Sequence, residues 1–403
     1  MKVVQINAIY GSSSVGRTVA EMHEFLVEHG IESYVFYSVK NKESDAFDII
    51  GNKLDHKIHG FFSRLFGKQA YFSYLPTRKL ISKLERIKPN VVILRNFHSN
   101  YINMPLLLAY LANEDIATIV VLHDCWFFTG HCCHYTEIGC DKWQVECHHC
   151  PLIKTNNKSW LLDNSRSIFN DKQRLFGAIP RLAVVGVSDW ITNEGRKSPI
   201  FGNTEYFQRI YNWIDFNKFY FRENAYLLRE KLGVTSDDFV ALAVSMQWDD
   251  RKGLNVIIKL AETMSEIKIV LVGNCSSKQL PSNVILCPPT GSVDQLAEYY
   301  SMADVFLNFS IQETFGKVTA EALACGTPAV VNNATANPEI PGSCGEVVNT
   351  NDINAVVEVL KRIRINGKEY YSARCVERAH ELFDKDKNIM QYLQLFSRIT
   401  KRT

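Results

Sequence analysis

Two glutamates, Glu313 and Glu321, stand eight positions apart in the stretch SIQETFGKVTAEALACGTPAVV. Glu313 follows an apolar strand pattern, and a helical pattern opens at Phe315-Gly316, so Glu321 is expected about two turns beyond the helix start on a similar face. A carboxylate accepts hydrogen bonds from paired sugar hydroxyls, and a glycine at a helix start lets a phosphate approach exposed N–H groups. This chemistry suits a sugar nucleotide, but the spacing alone does not separate that interpretation from a structural one. A helix with a stabilising acidic first turn is the plain structural alternative.

The elements that must position such a site follow a regular rhythm along the chain. Short β-branched runs alternate with amphipathic stretches, as in residues 3–10 and 15–29, and the rhythm returns from residue 239. This alternation predicts an α/β fold with parallel sheets covered on both faces, and 403 residues suit two domains. Two doubly wound domains facing each other would line one cleft with strand C-termini and helix N-termini, which bind phosphorylated ligands well.

The stretch around the two glutamates resembles the donor-binding signature of glycosyltransferase family 4, a retaining family. Further family landmarks follow in the expected order: VVGVSDW at 184–190, IYNWIDFNKF at 210–219, ANPEI at 336–340 and CGEVVNTNDINAV at 344–356. The resemblance covers nearly the whole chain and is weaker between about 40 and 90.

The resemblance implies a GT-B fold, in which two Rossmann-like doubly wound domains face each other across a cleft. We predict that residues 1–205 form the acceptor-binding domain, with a cysteine-rich insert at 125–151. Residues 206–380 would bind the nucleotide sugar. Residues 381–403 would form a C-terminal helix that packs back on the first domain.

The resemblance also implies roles for residues of the donor site. Glu313 would be catalytic and sit beside the donor sugar, and Glu321 would contact the ribose hydroxyls. Backbone amides near Phe315, Gly316 and Lys317 would bind phosphate.

The diphosphate end of this site departs from the family pattern. Family members usually carry an arginine five residues before a Lys-Gly pair, but here Gln247 stands five residues before Lys252. Glutamine supplies neither the charge nor the fork geometry of arginine. We expect Lys252, helped by the adjacent Arg251, to neutralise the leaving diphosphate; a basic helix start is the alternative.

Five residues of the first domain are further candidates. The loop GSSSVGR contains Gly11, on the acceptor side, and Gly16, beneath the donor phosphates; both glycines allow close backbone approach. His123, in LHDCW, matches a family histidine that faces the reaction centre, and we take it as catalytic. Arg95 and His98 are weaker acceptor-side candidates. A structural role is the alternative for each of the two histidines.

Six of the eleven cysteines crowd into residues 125–150, in a chain that we expect to be cytoplasmic. Cys147 and Cys150 have the C-x-x-C spacing of metal ligands, and Cys140 with Cys132 or Cys133 would complete a tetrahedral site. Our candidate set for a structural zinc is Cys133, Cys140, Cys147 and Cys150. Disulfides, free thiols and a catalytic metal are alternatives, although the resemblance implies that catalysis needs no metal. The insert also resembles a cysteine-rich insert of the colanic-acid type of family 4 enzymes.

The balance of charge and hydropathy limits the partners. The net charge of +2 argues against nucleic acid as a partner, and neither a signal peptide nor a long apolar run is apparent. Residues 56–88 are basic and aromatic, which suits peripheral association with the inner face of the plasma membrane. A helix that buries these aromatic side chains in the first domain is the alternative.

Taken with the resemblance, these patterns predict a retaining glycosyltransferase that moves a sugar from a nucleoside-diphosphate sugar to a glycan hydroxyl. The expected acceptor is a lipid-linked oligosaccharide in bacterial surface polysaccharide biosynthesis, as for capsule or O-antigen. One alternative is a nucleotide-sugar epimerase or hydrolase of the same fold. Another is a non-catalytic binding module that uses the cysteine-rich loop.

Overall fold

The computed structural model describes residues 1–39, 48–276 and 279–401. The chain forms two compact units. The first unit contains Met1–Ile210 and the C-terminal segment from Ile389, and the second contains Tyr211–Asn388.

Seven strands form one sheet among the described residues of the first unit. The strands are β1 (Lys2–Ile6), β2 (Glu32–Tyr37), β3 (Asp48–Ile49), β4 (Val91–Leu94), β5 (Ala117–Leu122), β6 (Leu182–Gly186) and β7 (Tyr206–Arg209). The helices between them are α1 (Ser13–Glu28), α2 (Lys53–Phe66), α3 (Tyr74–Ile87), α4 (Met104–Asn113), α5 (Ser165–Gly177) and α6 (Asp189–Lys197). The strand order is β3-β2-β1-β4-β5-β6-β7, and every neighbouring pair is parallel. Because helices cover both faces, every residue of β4 and β5 is buried, and all of them except Thr118 are apolar.

The second unit repeats this arrangement with six strands among its described residues. The strands are β8 (Val240–Trp248), β9 (Lys268–Cys275), β10 (Val284–Cys287), β11 (Val305–Asn308), β12 (Ala329–Asn332) and β13 (Gly345–Val348). The helices are α7 (Tyr226–Lys231), α8 (Leu254–Thr263), α9 (Val293–Met302), α10 (Lys317–Ala324), α11 (Ile353–Asn366) and α12 (Glu369–Leu382). The order is β10-β9-β8-β11-β12-β13, again with parallel neighbours only.

The strand order reverses direction at one point in each sheet. In the first unit this point lies between β1 and β4, and in the second between β8 and β11. Ligands of doubly wound sheets bind at the carboxyl ends of the strands beside such a switch point. The segments that follow these four strands are therefore the places to look for a site.

The C-terminal helix, α13 (Lys385–Thr400), belongs to the first unit from Ile389 onward. Its side chains Ile389, Tyr392, Leu395 and Phe396 are buried. Among the described helices, none combines the length and the apolar character that crossing a bilayer requires.

Candidate active site

The turn that follows β8 positions Lys252. One carboxylate oxygen of Asp249 accepts the backbone N–H of Lys252 at 3.1 Å, and the other holds Nη2 of Arg251 at 2.7 Å. The next residue, Gly253, has a φ of 81°, and a Cβ built there would lie 2.5 Å from Cβ of Phe309. Only glycine lets this turn pack so closely against the chain that leaves β11.

Lys252 forms an ion pair with Glu313, in the loop after β11. Its Nζ lies 2.6 Å from Oε1 of Glu313, and the two side chains are 38% and 17% exposed. The backbone N–H of Glu313 donates to Oγ1 of Thr335 at 2.8 Å, which fixes the loop. Two candidates from distant parts of the sequence therefore meet at the switch point, where both keep access to solvent.

The start of α10 lies directly after this loop. Gly316 has a φ of 87° although a Cβ would have room there, so the backbone conformation rather than space calls for glycine. Within the described part of the chain, no side chain caps this helix, and an uncapped N-terminus favours a bound anion. Phe315 is buried against Phe383, with ring centroids 5.3 Å apart, and Lys317 is also buried.

Glu321 occupies a different environment from Glu313. Its side chain is completely buried on α10, and its Oε2 accepts a hydrogen bond from the Tyr300 hydroxyl of α9 at 2.9 Å. The sequence suggested a similar face for both glutamates. The periodicity of a helix does not extend to Glu313, because that residue precedes the helix.

The other two candidates for contacts with the diphosphate, Gln247 and Arg251, are both exposed. Gln247 is exposed near the end of β8, beyond a register shift in the pairing of β8 with β9 that begins at Val244. Such bulges redirect side chains at strand ends. Arg251 is exposed and tied to Asp249.

A network of amides that the sequence analysis missed supports the Glu313 loop. Nδ2 of Asn308 donates to Oγ1 of Thr319 at 3.0 Å and to Oδ1 of Asn337 at 3.2 Å. Nδ2 of Asn337 donates in turn to the carbonyl of Ser310 at 2.8 Å. The available signal was an asparagine that closes the otherwise apolar strand VFLN.

In the first unit, Arg95 and His123 are in direct contact. Arg95 is fully buried, and its Nη1 lies 2.8 Å from Nε2 of His123, while Nη2 donates to Oε1 of Gln5. Burial lowers the pKa of Arg95, and the electrostatic interaction with Tyr392 opposes this shift. Because a guanidinium only donates, Nε2 of His123 must accept, which places the imidazole proton on Nδ1.

His98 belongs to a second polar group of this unit. Its Nε2 lies 2.8 Å from Oδ2 of Asp124, and it also hydrogen-bonds the side chain of Cys133. Burial opposes the charged form of His98, but Cys133 and Asp124 outweigh it and raise the pKa well above its ordinary value. Burial also opposes the charge of Asp124, yet His98 and the backbone N–H of Trp126 lower its pKa to about 2. Asp124, His98 and Cys133 therefore form one chain of hydrogen bonds.

The two glycines of the first loop shape its backbone. Gly11 has a φ of 72°, and its N–H donates to the carbonyl of Gly16 at 3.0 Å. A Cβ on Gly16 would lie 3.2 Å from Cγ2 of Ile9, so the small residue lets α1 start close to β1.

The cysteines are all described, and none of the eleven forms a disulfide. Cys133, our candidate first ligand, contacts His98. Its neighbour Cys132 is buried and interacts electrostatically with Cys147 and Cys150. Sequence could not decide between these two adjacent cysteines, because tertiary contacts determine which way each side chain points.

The two sheets match those of solved structures with the GT-B fold. Anabaena Alr3699/HepE, solved in complex with UDP and glucose, shares 14% identity, and the match covers 99% of this chain and 100% of that chain with a TM-score of 0.66. The molecule therefore has the GT-B fold, as the sequence predicted.

Residues 238–365 match the family described as "Glycosyl transferases group 1". The putative colanic acid biosynthesis glycosyl transferase WcaC of Escherichia coli (strain K12) is 19% identical over 375 residues, 90% of each chain. The N-acetyl-alpha-D-glucosaminyl L-malate synthase of Bacillus anthracis is 27% identical over 204 residues, 47% of this chain. That alignment spans 53%, about half, of the relative's length. Lys252, Glu313 and the start of α10 all lie within the residues that match this family.

Proposed function

We propose that the protein transfers a sugar, with retention of anomeric configuration, from a nucleoside-diphosphate sugar to a hydroxyl of a glycan. The observation that carries the proposal is the Lys252–Glu313 ion pair beside the uncapped start of α10, within a group 1 glycosyltransferase domain. A cation and a helix N-terminus suit a diphosphate, and a carboxylate beside them suits a sugar.

In the proposed reaction the bond between C1 of the sugar and the diphosphate oxygen breaks, and that oxygen keeps the electron pair. The acceptor oxygen forms a bond to C1 on the same face and gives its proton to the leaving diphosphate. The transition state has oxocarbenium character, as in glycoside hydrolysis. Lys252 stabilises the charge that develops on the diphosphate, and Glu313 contacts the sugar. His123 is the proposed catalytic residue of the first unit.

UDP or another nucleoside diphosphate is the proposed carrier, which the UDP complex of Alr3699/HepE supports. The proposed pathway is bacterial surface polysaccharide assembly, which the likeness to WcaC supports. No catalytic metal takes part in the proposed step.

The proposed acceptor is a lipid-linked oligosaccharide, reached from the inner face of the plasma membrane. The support is a set of exposed apolar side chains in the first unit, on α2, α3 and the segment 160–162. These side chains are Leu54, Ile58, Phe61, Phe62, Phe66, Tyr74, Leu75, Trp160, Leu161 and Leu162. Lys57 and Arg64 stand among them on α2. Exposed aromatic residues with interspersed cations suit an anionic bilayer.

Substitution of Lys252 tests the donor site. Lys252→Ala should reduce kcat/KM for the donor by roughly a hundredfold, as loss of one group that stabilises transition-state charge commonly does. Release of nucleoside diphosphate in the presence of a glycan acceptor measures the effect. Lys259→Ala, which removes an exposed lysine from α8, is the matched control and should leave turnover unchanged. Equal rates for both variants would contradict the proposal, and release that needs no acceptor would indicate a hydrolase instead.

A further inference from the structure

Three potential metal ligands, His98, Asp124 and Cys133, meet at one edge of the sheet in the first unit. His98 lies shortly beyond the end of β4, and Asp124 lies shortly beyond the end of β5. Because β4 and β5 are parallel neighbours, both segments leave the same edge of the sheet. Cys133 belongs to the insert between β5 and α5, whose described residues form only three single-turn helices. The group therefore joins a long irregular segment to the sheet.

The three side chains direct ligand atoms at one point. One imidazole nitrogen of His98, one carboxylate oxygen of Asp124 and the sulfur of Cys133 all lie within 4.8 Å of one another, and the His98–Asp124 pair is 2.8 Å apart. Zinc bonds to N, O and S atoms at about 2.0–2.3 Å, which separates tetrahedral ligand atoms by about 3.5 Å. That separation lies between the two observed values. Within the part of the chain that the structure describes, no other set of three His, Cys, Asp or Glu side chains converges so closely.

Asp124 and His98 are positioned by contacts that a bound ion would leave in place. Oδ1 of Asp124 accepts the backbone N–H of Trp126 at 2.8 Å, which turns Oδ2 towards His98. The His98 ring packs against the Trp126 ring, with centroids 6.2 Å apart. Ligands that are oriented by groups outside the coordination shell are typical of metal sites in proteins.

Cys133 is held in the same way. Its backbone N–H donates to Oδ1 of Asn156 at 3.0 Å, and its carbonyl accepts the N–H of Cys125 at 2.8 Å. Its sulfur accepts a hydrogen bond from Nδ2 of Asn157 at 3.4 Å. A hydrogen bond donated to sulfur favours the thiolate, which is the form that binds metal.

The charge and exposure of the group suit a divalent ion. One carboxylate and one thiolate balance the charge of such an ion, and a neutral imidazole adds none, so little net charge is buried. The side chains of His98 and Asp124 are 22% and 12% exposed, and Cys133 is half-buried, which leaves a path from solvent. Thiolate and imidazole ligands favour zinc over magnesium or calcium.

We propose that His98, Asp124 and Cys133 bind one zinc ion, which fixes the insert to the edge of the sheet at β4 and β5. The thiol and the imidazole give up any protons they carry at the bonding atoms when the ion binds. Three protein ligands leave one position of a tetrahedral ion for water. The site is independent of the proposed sugar transfer, in which no metal takes part. Of the four cysteines that the sequence suggested as ligands, only Cys133 belongs to this site.

Metal analysis of variants tests the site. Full-length protein, incubated with Zn²⁺ under reducing conditions and then desalted, should retain about one zinc per chain. His98→Ala and Cys133→Ser should each bind zinc at least about tenfold more weakly. Cys147→Ser, which removes another cysteine of the insert, is the matched control and should bind like the wild type. Wild-type protein with well below one zinc per chain would overturn the proposal, and so would undiminished zinc binding by His98→Ala.

X-ray absorption at the zinc edge covers the case in which a ligand variant does not fold, because it needs wild-type protein alone. The zinc-loaded protein should show one sulfur ligand at about 2.3 Å and the remaining ligands as nitrogen or oxygen at about 2.0–2.2 Å. A shell with two or more sulfur atoms would place the metal among the other cysteines and would rule out this site. Failure of either measurement would leave the proposed sugar transfer unaffected.

Discussion

Two glycines of the proposed donor site are required for different reasons. Gly253 leaves no room for a side chain, because a Cβ would meet Phe309 at 2.5 Å. Gly316 has room but adopts a φ of 87°, which other residues rarely do. Gly253 fixes the position of Lys252, and Gly316 sets the direction in which α10 begins. Both glycines therefore act through the backbone.

Glu321 offers the sharpest test at this scale, since it is buried against Tyr300. Glu321→Gln keeps an acceptor for the tyrosine hydroxyl but loses the charge. If the carboxylate binds the ribose hydroxyls of the donor, the KM for the donor should rise roughly tenfold with little change in Tm. Steady-state kinetics and thermal unfolding measure the two effects.

Tyr300→Phe is the matched control for this test. It removes the hydroxyl that Glu321 accepts from and leaves a buried carboxylate short of one partner, which should destabilise the protein by about 1–3 kcal/mol. A purely structural Glu321 would give the opposite pattern in Glu321→Gln: a lower Tm and an unchanged KM.

At the scale of elements, the alternation of strands and helices predicted both parallel sheets, because it is a local property of the sequence. The ion pair of Lys252 with Glu313 was not predicted as a contact, since it joins residues sixty-one positions apart. The different contacts that Cys132 and Cys133 make could not be predicted from the sequence for the same reason. Spacing identified which residue types could act, and tertiary packing decided which of them meet.

His59 joins α2 to the start of α3 and gives a prediction about pH. It is fully buried, with Nδ1 2.6 Å from Oγ of Ser73. Burial, with a smaller effect of His56, lowers its pKa to about 3. Below about pH 6.5, His59 therefore binds a proton in the unfolded chain but not in the folded protein. As a result the free energy of unfolding falls as the pH falls from about 6.5 towards about 3.

The expected loss from this residue is about 2 kcal/mol between about pH 7 and about pH 5. Denaturant unfolding at both pH values should show this loss as part of the total change in the free energy of unfolding. His59→Gln, which cannot take up a proton, should reduce the total change by that amount. The same pH dependence in the variant and the wild type would show that His59 does not titrate as its burial requires.

At the scale of the whole molecule, the exposed apolar side chains of α2, α3 and segment 160–162 are the basis of the proposed membrane binding. Phe61 and Trp160 pack edge to face at 5.8 Å, and the N–H of Trp160 donates to the carbonyl of Arg64. The segment is thus fixed against α2, and its leucines face outward. Leu161 is 70% exposed.

Leu161→Ser should weaken binding to vesicles that contain anionic lipid by roughly tenfold, because insertion of a leucine side chain is worth about 1.5–3 kcal/mol. Vesicle sedimentation measures this. Leu227→Ser removes an equally large exposed side chain from α7 of the second unit and should bind like the wild type. Wild-type protein that binds equally to vesicles with and without anionic lipid would exclude the membrane role and would not bear on the proposed donor site.

The division of the chain into units has a consequence for its synthesis. The first unit includes the segment from Ile389 onward, and the side chains of Tyr392, Leu395 and Phe396 fill its interior. A nascent chain leaves the ribosome N-terminus first, so the second unit has all its residues before the first one does. The first residues to emerge are therefore among the last to reach their final packing. Part of their apolar surface stays uncovered until the C-terminal helix has been made.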